Sequence, residues 1–342
     1  MKRLALVLSS SALVLAACGG GGGTDDGDAV RVVASFYPLQ YVSERVGGDL
    51  VDVEPLTSPG VEAHDLELSP RQVADVQDAD VVVYQAGFQT AVDEAVEQAD
   101  RAEGTTVDSV ADVELLEESE EAAHDHDHGD EEHAEDEHAH EEGEEHAEDE
   151  HAHEEGEDSH DHDHAHDHGG VDPHVWLDPA NLEPVANAVA DALAEADPDN
   201  ADTYAANAEE LVADLTSLDD DLAAGLETCE VRDIVTSHAA FGYLANAYDL
   251  VQVPIAGLDP SNEPSASQLA AISDLVREEG ITTVFTETLV SPAVAETVAR
   301  EAGVETATLD PIEGLSDDTA DQDYLSIMRT NLETLQKANR CS

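Results

Sequence analysis

DVVVY, residues 80–84, is a short apolar run that reads as a buried strand, and the segments flanking it give that strand its setting. Upstream, Pro70–Asp78 reads as a short helix with Ser69 as N-cap, Val51–Leu56 as a strand, Leu39–Val46 as a helix and Val30–Ser35 as a β-rich run. Downstream, Ala91–Gln98 is helical and Thr105–Val107 is a fourth strand. Such alternation argues for a parallel sheet with helices on both faces. Beyond residue 170, Leu182–Ala196 and Pro198–Leu226 read as helices, the second long, with apolar residues three and four apart at Leu211, Leu215, Leu218 and Leu222. Alternation then resumes: strands Val231–Thr236, Leu250–Pro254, Thr283–Phe285 and Glu305–Thr308, helices Phe241–Tyr248, Ser267–Glu278, Pro292–Glu301 and Gln322–Ala338. The expected fold class is α/β, two parallel-sheet lobes joined by one long helix.

At 342 residues the chain is long enough for two such units. Its charge is extreme: 81 Asp and Glu against 12 Lys and Arg give −69. Residues 117–170 hold 26 of those acids and no base, which still leaves 55 acids against 12 bases elsewhere. A surface this negative repels nucleic acid and anionic membrane and attracts cations. Outside the 117–170 block, the excess also serves solubility.

The beginning of the chain, MKRLALVLSSSALVLAACGGGGG, carries Lys2 and Arg3 before an apolar run from Leu4 to Ala17. That run of about fourteen residues is too short for a permanent membrane span and has the layout of a secretory signal. It ends in Leu15-Ala16-Ala17-Cys18, which resembles the bacterial lipobox, so Cys18 is the expected lipidation site and the following glycines a tether. Cys229 and Cys341 remain, two cysteines in an oxidising compartment, which favours a disulfide. Closing that loop would be worth roughly 4–5 kcal/mol in the chain-entropy model.

Seventeen histidines are present, and fourteen lie in the acidic block: His124, His126, His128, His133, His138, His140, His146, His151, His153, His160, His162, His164, His166 and His168. Within the block the unit EEHAEDEHAHEEG occurs twice in tandem over residues 131–156. No packed core can use this composition, and the copy indicates that length is tolerated there, as in a disordered insertion. Its histidines and acids could chelate transition metals without fixed geometry, an auxiliary to a site elsewhere. The other three histidines each stand where an element runs out: His64 after Val51–Leu56, His174 in VDPHVWLDP before a helix, His238 after Val231–Thr236. In parallel sheets, ligands bind at the carboxyl ends of strands. Asp310, after Glu305–Thr308, is a fourth donor candidate. Three imidazoles and a carboxylate suit zinc better than magnesium or calcium, and one ion in the cleft between the lobes is the expected site.

The motifs GVEAHDLELSP, DPHVWLDP, VTSHAAFGYL, FTETLVSP and LDPIEGL resemble the metal-binding lipoproteins of bacterial ABC importers, specifically the zinc-specific ZnuA type, over residues 30–340. The resemblance implies two α/β lobes on a rigid helix, Zn(II) held by His64, His174 and His238, and a shell completed by Asp310, Glu62 or water. It implies a monomer on the outer face of the cytoplasmic membrane, anchored through lipid on Cys18, serving a permease and an ATPase. Manganese relatives typically place a carboxylate where this chain has His238. The family also commonly carries a His-rich acidic loop where this chain has residues 117–170. The expected boundaries are 1–17 signal, 18–29 tether, 30–116 N-terminal lobe, 117–170 histidine-rich loop, 171–197 end of that lobe, 198–228 connecting helix and 229–342 C-terminal lobe. A manganese-binding homologue, or a metal-buffering or adhesin lipoprotein without a transporter, is the alternative. A zinc hydrolase is disfavoured: His140 and His153 are followed by Glu-Glu-Gly-Glu and no His-Glu-x-x-His occurs, nor any Gly-x-Ser-x-Gly.

Overall fold

The computed structural model describes residues 29–102, 104–117 and 170–342. The expected signal, Cys18 and the histidines from His124 to His168 lie outside the described residues. Four parallel strands, β1 (Val30–Ala34), β2 (Val51–Pro55), β3 (Val81–Tyr84) and β4 (Thr106–Asp108), form one sheet in the order β2-β1-β3-β4. The valines of β3 explain why this strand organises the first lobe. Val81 and Val83 point into a core shared with α1 (Tyr37–Gly47) and α4 (Pro179–Ala196), while Val82 points to the opposite face, against α2 (Pro70–Asp78) and α3 (Thr90–Gln98). Side chains alternate across a strand, so three successive apolar residues require cover on both faces.

The second sheet repeats the plan: β5 (Asp233–Thr236), β6 (Val251–Pro254), β7 (Thr283–Thr286) and β8 (Glu305–Thr308), all parallel, in the order β6-β5-β7-β8. Its helices are α6 (Gly242–Ala247), α7 (Ala266–Glu278), α8 (Ala293–Ala302) and α9 (Tyr324–Ala338). Between the lobes runs α5 (Ala201–Leu226), about 39 Å long at 1.5 Å per residue. Tyr204, Ala208, Leu211, Leu215, Leu218, Leu222 and Leu226 recur every three or four residues and are all buried. That stripe packs on α1 and α4 of one lobe and on α9 of the other, so one apolar core runs from Val30 to Ala338. Burying large apolar side chains along a single helix stiffens the connection; each is worth about 1.5–3 kcal/mol.

Side-chain hydrogen bonds fix where three of the helices begin. Ser69 and Gln72 form a capping box that starts α2 at Pro70. The expected helix from Pro198 begins instead at Ala201, because Asp197 accepts hydrogen bonds from the Asn200 amide (2.6 Å) and the Tyr204 hydroxyl (2.9 Å), holding Pro198–Asn200 as a tighter 3-10 turn. Asp323 likewise caps α9 two residues after the expected start. Cys229 and Cys341 are joined by a disulfide across 112 residues, tying the end of α5 to the end of α9. Glu117 and Val171 form an antiparallel bridge, so the two ends of the acidic block are adjacent. Among the described residues no helix is long and apolar enough to cross a membrane.

Candidate metal centre

Four loops at carboxyl ends of strands converge between the sheets. His64 follows β2. The buried Gln89 side chain donates from Nε2 to the carbonyl of Ala63, one residue earlier (2.9 Å), and both Glu62 carboxylate oxygens accept from the His64 backbone N–H (3.0 and 3.1 Å). His174 precedes the 3-10 turn Val175–Leu177 that leads into α4, and Gln85 Nε2 donates to the carbonyl of Pro173 at 2.6 Å. His238 lies two residues beyond β5; its carbonyl accepts from Thr236 Oγ1 (2.7 Å) and Gln252 Nε2 (3.1 Å). Glu313 sits in the loop after β8. Asn331 brackets Asp310 through both its backbone groups (2.9 and 2.7 Å), and Asp310 Oδ1 accepts from the Ile312 N–H at 2.8 Å. The Trp176 indole donates to the Pro311 carbonyl at 2.7 Å. Within that clamp Ile312 adopts φ 59°, a conformation costly for a β-branched residue, and the next residue delivers its carboxylate to the histidines.

The convergence is tight. Among the described residues, one group of potential ligands keeps its donor atoms within 4.8 Å of one another: His64, His174, His238 and Glu313. The Nε2 atoms of His64 and His174 lie 3.3 Å apart, as do those of His174 and His238. Glu313 Oε1 is 3.6, 3.5 and 3.3 Å from the Nε2 atoms of His64, His174 and His238. This oxygen is buried and lacks a hydrogen-bond partner. An ion held tetrahedrally at about 2.0–2.1 Å requires donor–donor separations of about 3.3–3.4 Å, and the five distances above fall at or close to that edge length.

Two of the imidazoles are oriented from behind by carboxylates. His174 Nδ1 lies 2.8 Å from Asp172 and His238 Nδ1 2.7 Å from Glu287. With the Nδ1 proton shared with a carboxylate, Nε2 is turned to the cleft and its basicity raised. Burial would lower the His238 pKa, but Glu287 and Glu313 outweigh it and hold the ring up to about 10. His174 is raised in the same way, Asp172 and Glu313 prevailing over its burial. Burial opposes ionisation of Glu313, yet the three imidazoles hold its carboxyl well below the usual range. Glu62 is pushed up to about 8 by burial and by Glu313, and Asp310 to about 6, mainly by burial. The raised His174 and His238 rings favour their protonated forms, and a cation bound there would displace those protons.

The structure brings together His64, His174 and His238. Asp310, a candidate for the fourth donor, lies outside the group of potential ligands, and Glu313, three residues on, lies within it. Asp310 instead uses its carboxylate to close the turn that aims Glu313. Glu62 is not in the group either, its oxygens being bound to the backbone of its own loop. The acid of LDPIEGL was visible in the sequence; the left-handed Ile312 that selects it over Asp310 was not. Trp176 and Phe88 pack against His174 and His64, with ring centroids 5.3 and 4.9 Å away.

Residues 32–338 match the model of the family described as zinc-uptake complex component A, periplasmic (ZnuA). The chain is 35% identical over 340 residues to the zinc-binding lipoprotein AdcA of Streptococcus pneumoniae, covering 98% of itself and 61% of that protein; it thus spans about three-fifths of that relative's length. It is 34% identical over 313 residues to the high-affinity zinc uptake system protein ZnuA of Bacillus subtilis, covering 91% of itself and 88% of that protein. The crystal structure of the Zn(II)-bound ZnuA-like domain of S. pneumoniae AdcA superposes with a TM-score of 0.68 at 31% identity, over 91% of this chain and 99% of that one.

Proposed function

This chain belongs to the zinc-uptake component A (ZnuA) family, and from that premise we propose that it is an extracytoplasmic protein that captures Zn(II) and delivers it to the permease of an ABC importer. The observation that carries this reading is the tetrahedral edge length within a group of three imidazoles and one carboxylate. Manganese favours oxygen donors and six-fold geometry, so the donor set argues for zinc. The proposed ligands are His64, His174, His238 and Glu313. Capture exchanges protons for metal: Asp172 and Glu287 keep the Nδ1 side of two imidazoles, and arrival of the ion displaces protons from the Nε2 side. The role is binding, not catalysis, because a site closed by four protein ligands leaves no position for an activated water. Anchoring through Cys18 would keep the protein beside its permease and ATPase, and the histidines from His124 to His168 would act as a collector outside the centre.

Calorimetry on soluble protein 19–342 tests this, beside a form lacking 120–168 and a form with His64, His174 and His238 changed to alanine. One tight zinc that survives the deletion and vanishes in the triple variant is the expected result. Tight binding that follows residues 120–168 instead would favour a metal-buffering lipoprotein.

A further inference from the structure

Asp172 orients His174 from the chain segment that leads into α4, but the seat it occupies is completed by the second lobe. Its Oδ1 accepts from the His174 backbone N–H (2.9 Å) and lies 2.8 Å from His174 Nδ1. One oxygen thus fixes both the residue and its ring. The backbone of Asp172 is gripped on two sides. Its N–H donates to the Leu116 carbonyl (2.9 Å), and its carbonyl accepts from the Tyr243 hydroxyl (3.1 Å). That hydroxyl in turn accepts from the Leu116 N–H (2.9 Å). Tyr243 stands in α6 and is buried.

The remaining carboxylate oxygen, Oδ2, faces the residue before Tyr243. A Cβ built on Gly242 would come within 2.3 Å of it, far inside van der Waals contact. Gly242 has no conformational need to be glycine: it opens α6 and its φ is not positive. Glycine is also a poor helix former, so alanine would suit the helix better. What the missing side chain supplies is room. The atom in the way of a methyl group is the end of a side chain and not backbone, so the carboxylate would yield before the helix does. Asp172 yields by turning about χ1, and that turn carries Oδ1 away from His174.

We infer that Gly242 is a positioning residue of the centre: by offering no side chain it keeps open the seat in which Asp172 meets His174, so the second lobe aims a ligand that it does not itself carry. The assignment rests on the zinc-binding reading of the same centre. Lobe packing and ligand orientation are thereby joined at one point, where α6 presses on the carboxylate behind the imidazole.

The test is zinc affinity, measured by competition with a chelating indicator on soluble protein 19–342 as wild type, Gly242→Ala, Asp172→Ala and the double variant. Each single change is expected to weaken zinc binding about 10- to 100-fold, the usual cost of losing the carboxylate behind a ligand histidine. The double variant should match Asp172→Ala within about twofold, because the methyl then fills space the carboxylate has left. NMR of the zinc-loaded protein supplies a second reading. The His174 Nδ1–H resonance, identified by its loss in Asp172→Ala, should be lost or shifted in Gly242→Ala, while that of His238, beside Glu287, stays in place. A general loosening of the fold would move both. Should Gly242→Ala fail to fold, the double variant decides: it is expected to fold and to bind zinc as Asp172→Ala does, and its failure would overturn the assignment. Unchanged affinity in Gly242→Ala, penalties that add in the double variant, or an unmoved His174 resonance would also overturn it and leave zinc binding intact. A wild-type protein that takes up no stoichiometric zinc overturns the functional reading and the assignment with it.

Discussion

Replacing Cys229 and Cys341 together by serine opens a ring that contains every strand and helix of the second sheet. In the chain-entropy picture, a cross-link spanning 112 residues lowers the entropy of the denatured chain by about 16 cal/mol/K, or about 5 kcal/mol at 25 °C. The folded state has other means of keeping its geometry there. Glu230 N–H and Val231 N–H both donate to the Asn339 carbonyl (3.1 and 3.2 Å), the Asn339 amide donates back to Val231 (2.9 Å), and Ser342 N–H donates to Thr228 (3.2 Å). Most of the loss should therefore fall on the denatured state. Urea denaturation in the presence of a chelator, followed by far-ultraviolet circular dichroism and by Trp176 emission, the chain's single tryptophan, measures it. The expected outcome is a lower midpoint, a steeper denaturant dependence because the unlinked chain exposes more surface on unfolding, and one tight zinc per chain still bound. A loss below about 1 kcal/mol, or loss of zinc binding, would refute the reasoning, the first by showing residual denatured-state order and the second by showing that the bond shapes the cleft.

The metal-free protein should lose thermal stability as pH rises from 6.5 to about 10. The folded-state pKa of His238 is about 10 against about 6.5 unfolded, so its contribution is complete below the lower value and is lost through the upper one. Glu62 works in the same direction up to about 8, because the unfolded chain has released that proton while the folded one retains it. Differential scanning calorimetry with chelator present should show the decline, and a flat profile over this window would contradict the proton inventory of the centre. Separately, Glu287→Gln keeps an acceptor at His238 Nδ1 and removes the charge 2.7 Å away. Competition titration should show zinc affinity about 10- to 100-fold weaker, whereas an unchanged affinity would mean that Glu287 merely packs there.

Much of the fold was legible because its signals are local. Successive valines demand cover on both faces, Ser69 announces a helix, and the leucine stripe of α5 has a helical period. The three histidines could be picked out because the chain outside the acidic block contains no others and each stands at the edge of an element, His64 and His238 after a strand and His174 before a helix. What escaped depends on contacts between residues distant in sequence. The rule that ligands follow strands points to Asp310, the first acid after β8. Glu313 is selected by the turn at Ile312, held by the side chain of Asp310 and by an indole 135 residues away. No periodicity reveals that Trp176 and Tyr324, 148 residues apart, lock His174 onto the opposite lobe.

The two sheets share one strand order, and all their strands run parallel. Each lobe thereby offers the cleft an equivalent set of strand ends, and a metal site needs just four side chains from that common stock. Ligand positions stand in loops, while the residues that determine stability lie beneath them in the strands and along α5. Cargo preference is thereby set by a few loop positions, but His174, His238 and Glu313 are buried, so an exchange at any of them is also a change to the packing between the lobes.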